Sequence, residues 1–89
     1  VTQAQITAAS TPADHEAIAA AYDAEAKAAD EMAGNHESMA KAYKSAGAKG
    51  GTQSMVSHCG RLATQYRAAA QEYRALATEH RAMAKAAVK

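Results

Sequence analysis

The chain has 89 residues and a formal net charge of +1 at pH 7, which allows one domain and excludes a general electrostatic attraction to nucleic acid or anionic lipid. Although 48% of the residues are hydrophobic, 27 are Ala and none is Phe or Trp, so a monomer would have a thin core and we expect a homodimer. The sequence lacks an apolar run of the roughly 20 residues that span a bilayer, so we expect no membrane insertion.

The N-terminal segment VTQAQITAAS is small and polar, and we expect a flexible lead over residues 1–10. A start at Val1 with such a lead is typical of a mature protein whose signal peptide has been removed, so we expect an exported, periplasmic protein. Cys59 is the single cysteine, which excludes an intrachain disulfide and leaves an intermolecular one open.

Two long helices are predicted on either side of the Gly-rich stretch AGAKGGTQ. Thr11 is the expected N-cap, with Pro12 at the first helical position and Asp14 in the first turn, and Gly47 is the expected C-cap. The single domain over residues 11–89 then has a helix over about 12–46, a loop over 47–53 and a helix over about 54–88. So short a loop makes the helices antiparallel. We predict an all-α fold: an antiparallel two-helix hairpin, two copies of which pair into a dimeric four-helix bundle.

A repeat of 3.5 residues runs along both helices and predicts the seam on which they pack. In the first helix the seam positions are His15, Ile18, Tyr22, Glu25, Ala29, Met32, His36, Met39, Tyr43 and Ala46. In the second they are Met55, Cys59, Leu62, Tyr66, Ala69, Tyr73, Leu76, His80, Met83 and Ala87. The two sets superimpose at an offset of 44 residues, which indicates a duplicated helix.

Two residues on this seam and two glycines beside it have predicted structural roles. Glu25 falls opposite Tyr73, where we expect a carboxylate–phenol hydrogen bond that fixes the register. Gly34 and Gly60 are expected to let the two backbones approach closely.

Charge differs between the helices. Over residues 12–46 seven acidic residues face three lysines, and over 54–89 six basic residues face two glutamates. The helices should therefore select each other as neighbours. Arg67, Arg74 and Arg81 recur every seven residues, but no aromatic residue interleaves them, so we expect a solvated or intersubunit face and no nucleic-acid binding.

The seam gathers imidazole and sulfur groups into two predicted clusters. One holds His36, Met39 and Cys59 near the loop, and the other holds His15, His80 and Met83 at the opposite end. Thiolate and thioether donors favour Cu(I), and imidazole binds copper, zinc or haem iron. The leading hypothesis is therefore a non-enzymatic copper-binding protein for carriage, buffering or electron transfer.

Two other functions stay open. A bundle could instead hold haem b, with His36, His80, Met39 and Met83 as candidate axial ligands. Covalent haem attachment is excluded because the sequence has no CxxCH motif. The second alternative is a dimerisation scaffold without a cofactor, in which His and Met only fill the core.

The runs TPADHEAIAAAYDAEA, NHESMAKAY, GG-x-x-x-M-x-x-HC and YRALATEHRAMA cover most of residues 11–84. In these runs the chain resembles a group of short, exported, Ala-rich proteins of Gram-negative bacteria. The resemblance implies export and a helical hairpin and carries no activity. The architecture is also similar to that of four-helix-bundle cytochromes and helical copper-storage proteins, although the cysteine ladder of the latter is missing.

Overall fold

A computed structural model describes the protein over residues 1–46 and 52–87. Its helices are α1 (Gln3–Ala8), α2 (Pro12–Ser45) and α3 (Thr52–Ala86), and these ranges contain no strand. The two long helices pack side by side along a body of 63 × 20 × 13 Å. Contacts of His15 with His80 and of Glu37 with Arg67 show that they run antiparallel. The predicted all-α hairpin is confirmed.

The start of α2 has the predicted cap. The Thr11 hydroxyl accepts a hydrogen bond from the Asp14 backbone N–H at 3.1 Å, and the Asp14 carboxylate accepts from the backbone N–H groups of Ser10 and Thr11. These bonds, that from Ser10 first, lower the pKa of Asp14. The other predicted cap, Gly47, and most of the predicted loop lie outside the described residues.

The segment expected to be a flexible lead contains helix α1. Thr2 caps it, because its hydroxyl accepts from the Gln5 backbone N–H while the Gln5 side chain accepts from the Thr2 backbone N–H. This Thr-x-x-Gln capping box was visible in the sequence. Helix α1 lies against the first turns of α2, where Gln5 and Ala8 line a groove together with Ile18.

The packing face differs from the predicted seam at every second position. The interface contains two rows of alanines, which we call the alanine rows: Ala19, Ala26, Ala33 and Ala40 on α2, and Ala63, Ala70, Ala77 and Ala84 on α3. All of these are buried except Ala40, which is half-buried. The predicted seam used the residues directly before them, and of those Met32, Met39, Leu62 and Met83 are exposed. Methyl side chains let two helices approach more closely than methionines would, which favours this face.

One flank of the interface carries intrachain ion pairs. The Arg67 guanidinium binds Glu37 at 2.6 Å and lies 3.6 Å from Asp30, which also binds Arg74. Further along, Arg81 binds Asp23 at 2.6 Å. The charge complementarity of the helices is therefore realised within one hairpin, and it accounts for the regular arginine spacing.

The opposite flank is mostly apolar, and we call it the apolar flank: Ile18, Glu25, Met32 and Met39 on α2, and Met55, Leu62, Ala69, Leu76 and Met83 on α3. Each of these positions except Met55 lies one residue before an alanine of the alanine rows. Met55 lies seven residues, or two helical turns, before Leu62. Despite this apolar flank, none of the described helices is both long enough and apolar enough to cross a membrane.

Three local predictions were wrong. Glu25 does not bond to Tyr73 among the described residues; its carboxylate lies 3.6 Å from the Val1 nitrogen instead. A Cβ added at Gly34 or Gly60 would meet no atom within 4 Å, so neither glycine marks a close approach of the helices.

Candidate metal centre

Between the alanine rows run two rows of mainly aromatic residues, which we call the ring rows: His15, Tyr22, Ala29 and His36 on α2, and Cys59, Tyr66, Tyr73 and His80 on α3. They form layers across the interface. His15 stacks on His80, and one step of seven residues further Tyr22 stacks on Tyr73, with ring centroids 6.2 Å apart. The ring rows coincide with the half of the predicted seam that the structure retains.

The layer at the open end, where α2 begins and α3 ends, brings two imidazoles together. The Nδ1 atoms of His15 and His80 lie 3.2 Å apart, and the ring centroids lie 5.4 Å apart. His80 is only 8% exposed, and the Tyr22 ring packs 5.9 Å from it. In the neutral pair the Nδ1–H of one ring donates a hydrogen bond and the Nδ1 atom of the other ring accepts it. The two nitrogens are thus as close as two ligands of one ion would be.

The layer at the closed end, where α2 ends and α3 begins, is related to the first by the 44-residue repeat. That repeat maps His80 onto His36, His15 onto Cys59, and Tyr22 onto Tyr66. His36 stacks on Tyr66 with centroids 5.6 Å apart, much as His80 packs beside Tyr22. Two further steps of seven residues from Tyr22 and Tyr73 lead to His36 and Cys59, so they share one layer.

One polar atom of this second layer is buried without a partner in the described part of the chain. The Nδ1 atom of His36 is buried and has no hydrogen-bond partner among the described residues. Cys59 is a buried free thiol. Since buried polar atoms are nearly always hydrogen-bonded, the orphaned imidazole nitrogen is compatible with an additional ligand at this layer.

The predicted ligand sets come together only in part. Of the set at the open end, His15 and His80 meet, while Met83 lies exposed on the apolar flank. Of the set at the closed end, the seven-residue spacing assigns His36 and Cys59 to one layer, where both are at least half-buried, while Met39 is likewise exposed on the apolar flank. The thioethers were misplaced because the seam was set one residue early at their positions.

Within the described part of the chain, the imidazole and sulfur donors do not form a set of three or more. Among residues 1–46 and 52–87, no group of at least three His, Cys, Asp or Glu side chains is placed to hold a metal ion. The remaining histidine, His58, is exposed and lies 3.1 Å from the Arg61 guanidinium, outside the interface.

The sequence places Tyr22 and Tyr66 on the seam but does not predict their contacts with histidines, in which Tyr22 packs at a tilt beside His80 and Tyr66 stacks on His36. The signal was available, because each tyrosine lies seven residues from a ring-row histidine or cysteine on its own helix. Such stacking restricts the imidazole orientation and so positions its nitrogen.

No protein-family model matches the chain, and no curated protein and no solved structure matches it either.

Proposed function

We propose that the hairpin binds a soft or borderline metal ion, copper first, between His15 and His80. The Nδ1–Nδ1 distance of 3.2 Å is the observation that carries the proposal. In a tetrahedral site with metal–nitrogen bonds of about 2.0–2.1 Å, two nitrogens lie about 3.3–3.4 Å apart. Entry of an ion would thus require the donating imidazole to carry its proton on Nε2 instead of Nδ1, and only a small movement of the rings.

The choice of copper rests on the type of donors. Affinity of nitrogen sites for divalent first-row metals peaks at Cu²⁺, and sulfur donors favour Cu(I). Met83 follows His80 by three residues, but its side chain is exposed on the apolar flank, so the proposed donors of this site are the two imidazoles. His36 and Cys59 are the corresponding donors of a second site. Because Cu(I) accepts low coordination numbers, two imidazoles and a water suffice.

The role that fits such a site is carriage, buffering or electron transfer in the periplasm, and we propose no catalysis. The proposal includes pairing of two hairpins into a dimeric four-helix bundle, since the alanine rows give each hairpin a thin core. Haem b is the weaker alternative, because a porphyrin would have to separate ring pairs that stack across the interface. The scaffold alternative is favoured by a different observation, the exposed apolar flank.

Copper binding is tested by titrating the purified protein with Cu(I) against a chromophoric Cu(I) chelator, together with elemental analysis and an absorption spectrum. We expect copper to be retained, and the affinity to fall by about tenfold or more when His15→Ala and His80→Ala are combined. His58→Ala is the matched control, since it removes an exposed imidazole outside the interface, and it should bind copper as the wild type does.

Three results would contradict the proposal. Equal copper binding by the double variant and the His58→Ala control would remove the His15–His80 pair from the site. A protein without bound copper whose spectrum shows a Soret band after haem addition would favour the haem alternative, and one that binds neither would favour the scaffold.

A further inference from the structure

The closed half of the apolar flank presents large apolar side chains to solvent. Met32 and Met39 of α2 and Met55 and Leu62 of α3 are each between 37% and 45% exposed. They are not scattered, because each pair repeats at seven residues and the two helices place them on the same flank. A shallow groove lined by Met39, Ala42 and Tyr43 continues this surface. Contiguous apolar surface of this kind marks an interaction site.

The open half of the same flank is already covered by a segment of this chain. Helix α1 lies there, and Ile18 beneath it is 3% exposed. The side chain of Val1 is only 3% exposed, although the residue as a whole is 37% exposed. The Val1 nitrogen lies 3.6 Å from the Glu25 carboxylate. Ile6 of α1 and Met83 of α3 stay exposed, so the apolar surface continues to the open end. A short helix of this chain therefore already covers part of the flank, and the closed half is left without a cover among the described residues.

We infer that a second copy of this chain packs on the apolar flank, flank against flank, so that the two hairpins form a four-helix bundle. Helices of about 34 residues are on the order of 50 Å long. With a body 13 to 20 Å wide, the whole flank, including the outer surface of α1 over its open half, spans about 650–1000 Å², against the roughly 800 Å² per partner of a standard stable interface. The closed half alone spans about half of this area, so a stable dimer also uses the exposed Ile6 and Met83 of the open half.

The distribution of charge also favours a second copy on the apolar flank. On the opposite flank the charged side chains pair within the chain, Arg67 with Glu37 and Arg81 with Asp23, so that flank does not require a partner. The apolar flank carries one charged side chain, Glu25, so two copies related by a twofold axis bring together matching apolar surfaces. A membrane is a poorer match, because Glu72 and Glu79 are exposed on α3 beside the flank and would repel anionic lipid.

The inference rests on the proposed dimer and is independent of metal binding. It is tested by sedimentation of the full chain over a concentration series in the presence of a thiol reductant, so that a Cys59 disulfide cannot link two copies. We expect a dimer of twice the 9.2 kDa chain mass. Met39→Lys and Leu62→Lys should each raise the dimer dissociation constant by about tenfold or more, because each buries a lysine in the interface.

Ser38→Lys is the matched control, since Ser38 is an exposed neighbour of Met39 that points away from the flank. It should leave the dissociation constant within about twofold of the wild type. Far-UV circular dichroism shows that each variant keeps its helices. A wild type that stays monomeric at all concentrations overturns the dimer itself, whereas a dimer that Met39→Lys and Leu62→Lys leave intact overturns only the surface. Binding of the wild type to phosphatidylglycerol vesicles that Met39→Lys abolishes would overturn the second copy as the occupant.

Discussion

Substitution of Ala70 by Leu tests which face of α3 packs on α2. Ala70 is fully buried in a cluster with Ala26 and Ala29, against which Tyr66 and Tyr73 pack. A leucine adds three carbons where the neighbouring helix leaves no room, and overpacking of this kind typically costs about 1–3 kcal/mol. In a domain of this size each kcal/mol lowers the thermal midpoint by about 4–8 °C, so the loss should be plain in a melting curve followed by circular dichroism.

Two other alanines of α3 supply the controls. Ala75→Leu makes the same change on the exposed surface and should move the midpoint little, because Ala and Leu have similar helix propensity. Ala69→Leu places the side chain on the apolar flank, where it should be tolerated. All three variants are compared at one protein concentration, since a dimer makes the midpoint depend on concentration. Equal midpoints for Ala70→Leu and Ala75→Leu would refute the alanine rows as the packing face.

The remaining predictions concern stability. Gly34→Ala and Gly60→Ala should each stabilise the protein by about 0.5–1 kcal/mol in urea unfolding, because both lie inside helices and an added Cβ meets open space; a loss of stability would show a close approach after all. The pKa of Asp14 is lowered in the folded state by hydrogen bonds from Ser10 and Thr11, so its stabilising contribution is complete above about pH 4 and is lost as the pH falls through the lowered pKa. The stability difference between wild type and Asp14→Asn should therefore shrink as the pH falls below about 4, and a constant difference down to pH 2 would contradict this assignment.

Sequence features specified the hairpin well because several local signals agreed. The Thr11 cap, Pro12 and the long run without a helix breaker each indicate one helix, and the structure has α2 at Pro12–Ser45. Helix α1 was missed because its signal is a single capping box at Thr2 and Gln5 in a segment of low hydrophobicity. A helix of six residues is stable only through its contacts with the rest of the fold, and these cannot be read from its own sequence.

The sequence predicted the interface positions of the histidines and Cys59 but misplaced the methionines, because the heptad pattern is ambiguous by one residue. Both Met32 and Ala33 fit a 3.5-residue repeat with the ring rows, and the larger side chain was preferred. The charged residues distinguish the two possibilities, since Asp30 and Arg74 must lie on a flank of the interface to pair across the helices. The methionines then lie on the opposite flank, and the alanines lie in the interface between the two flanks. The thioethers were therefore assigned to the core although they belong to the surface.

Alanine rows and ring rows depend on each other, and this connects the packing to the proposed site. His80 lies between Ala77 and Ala84 along α3, and all three residues are buried. Because methyl side chains let helix backbones approach closely, we expect these alanines to set the 3.2 Å between the two Nδ1 atoms. A methionine core would hold the helices further apart and separate the two nitrogens. Copper affinity, as proposed, would then depend on alanines that touch no metal, because they set the distance between the ligands.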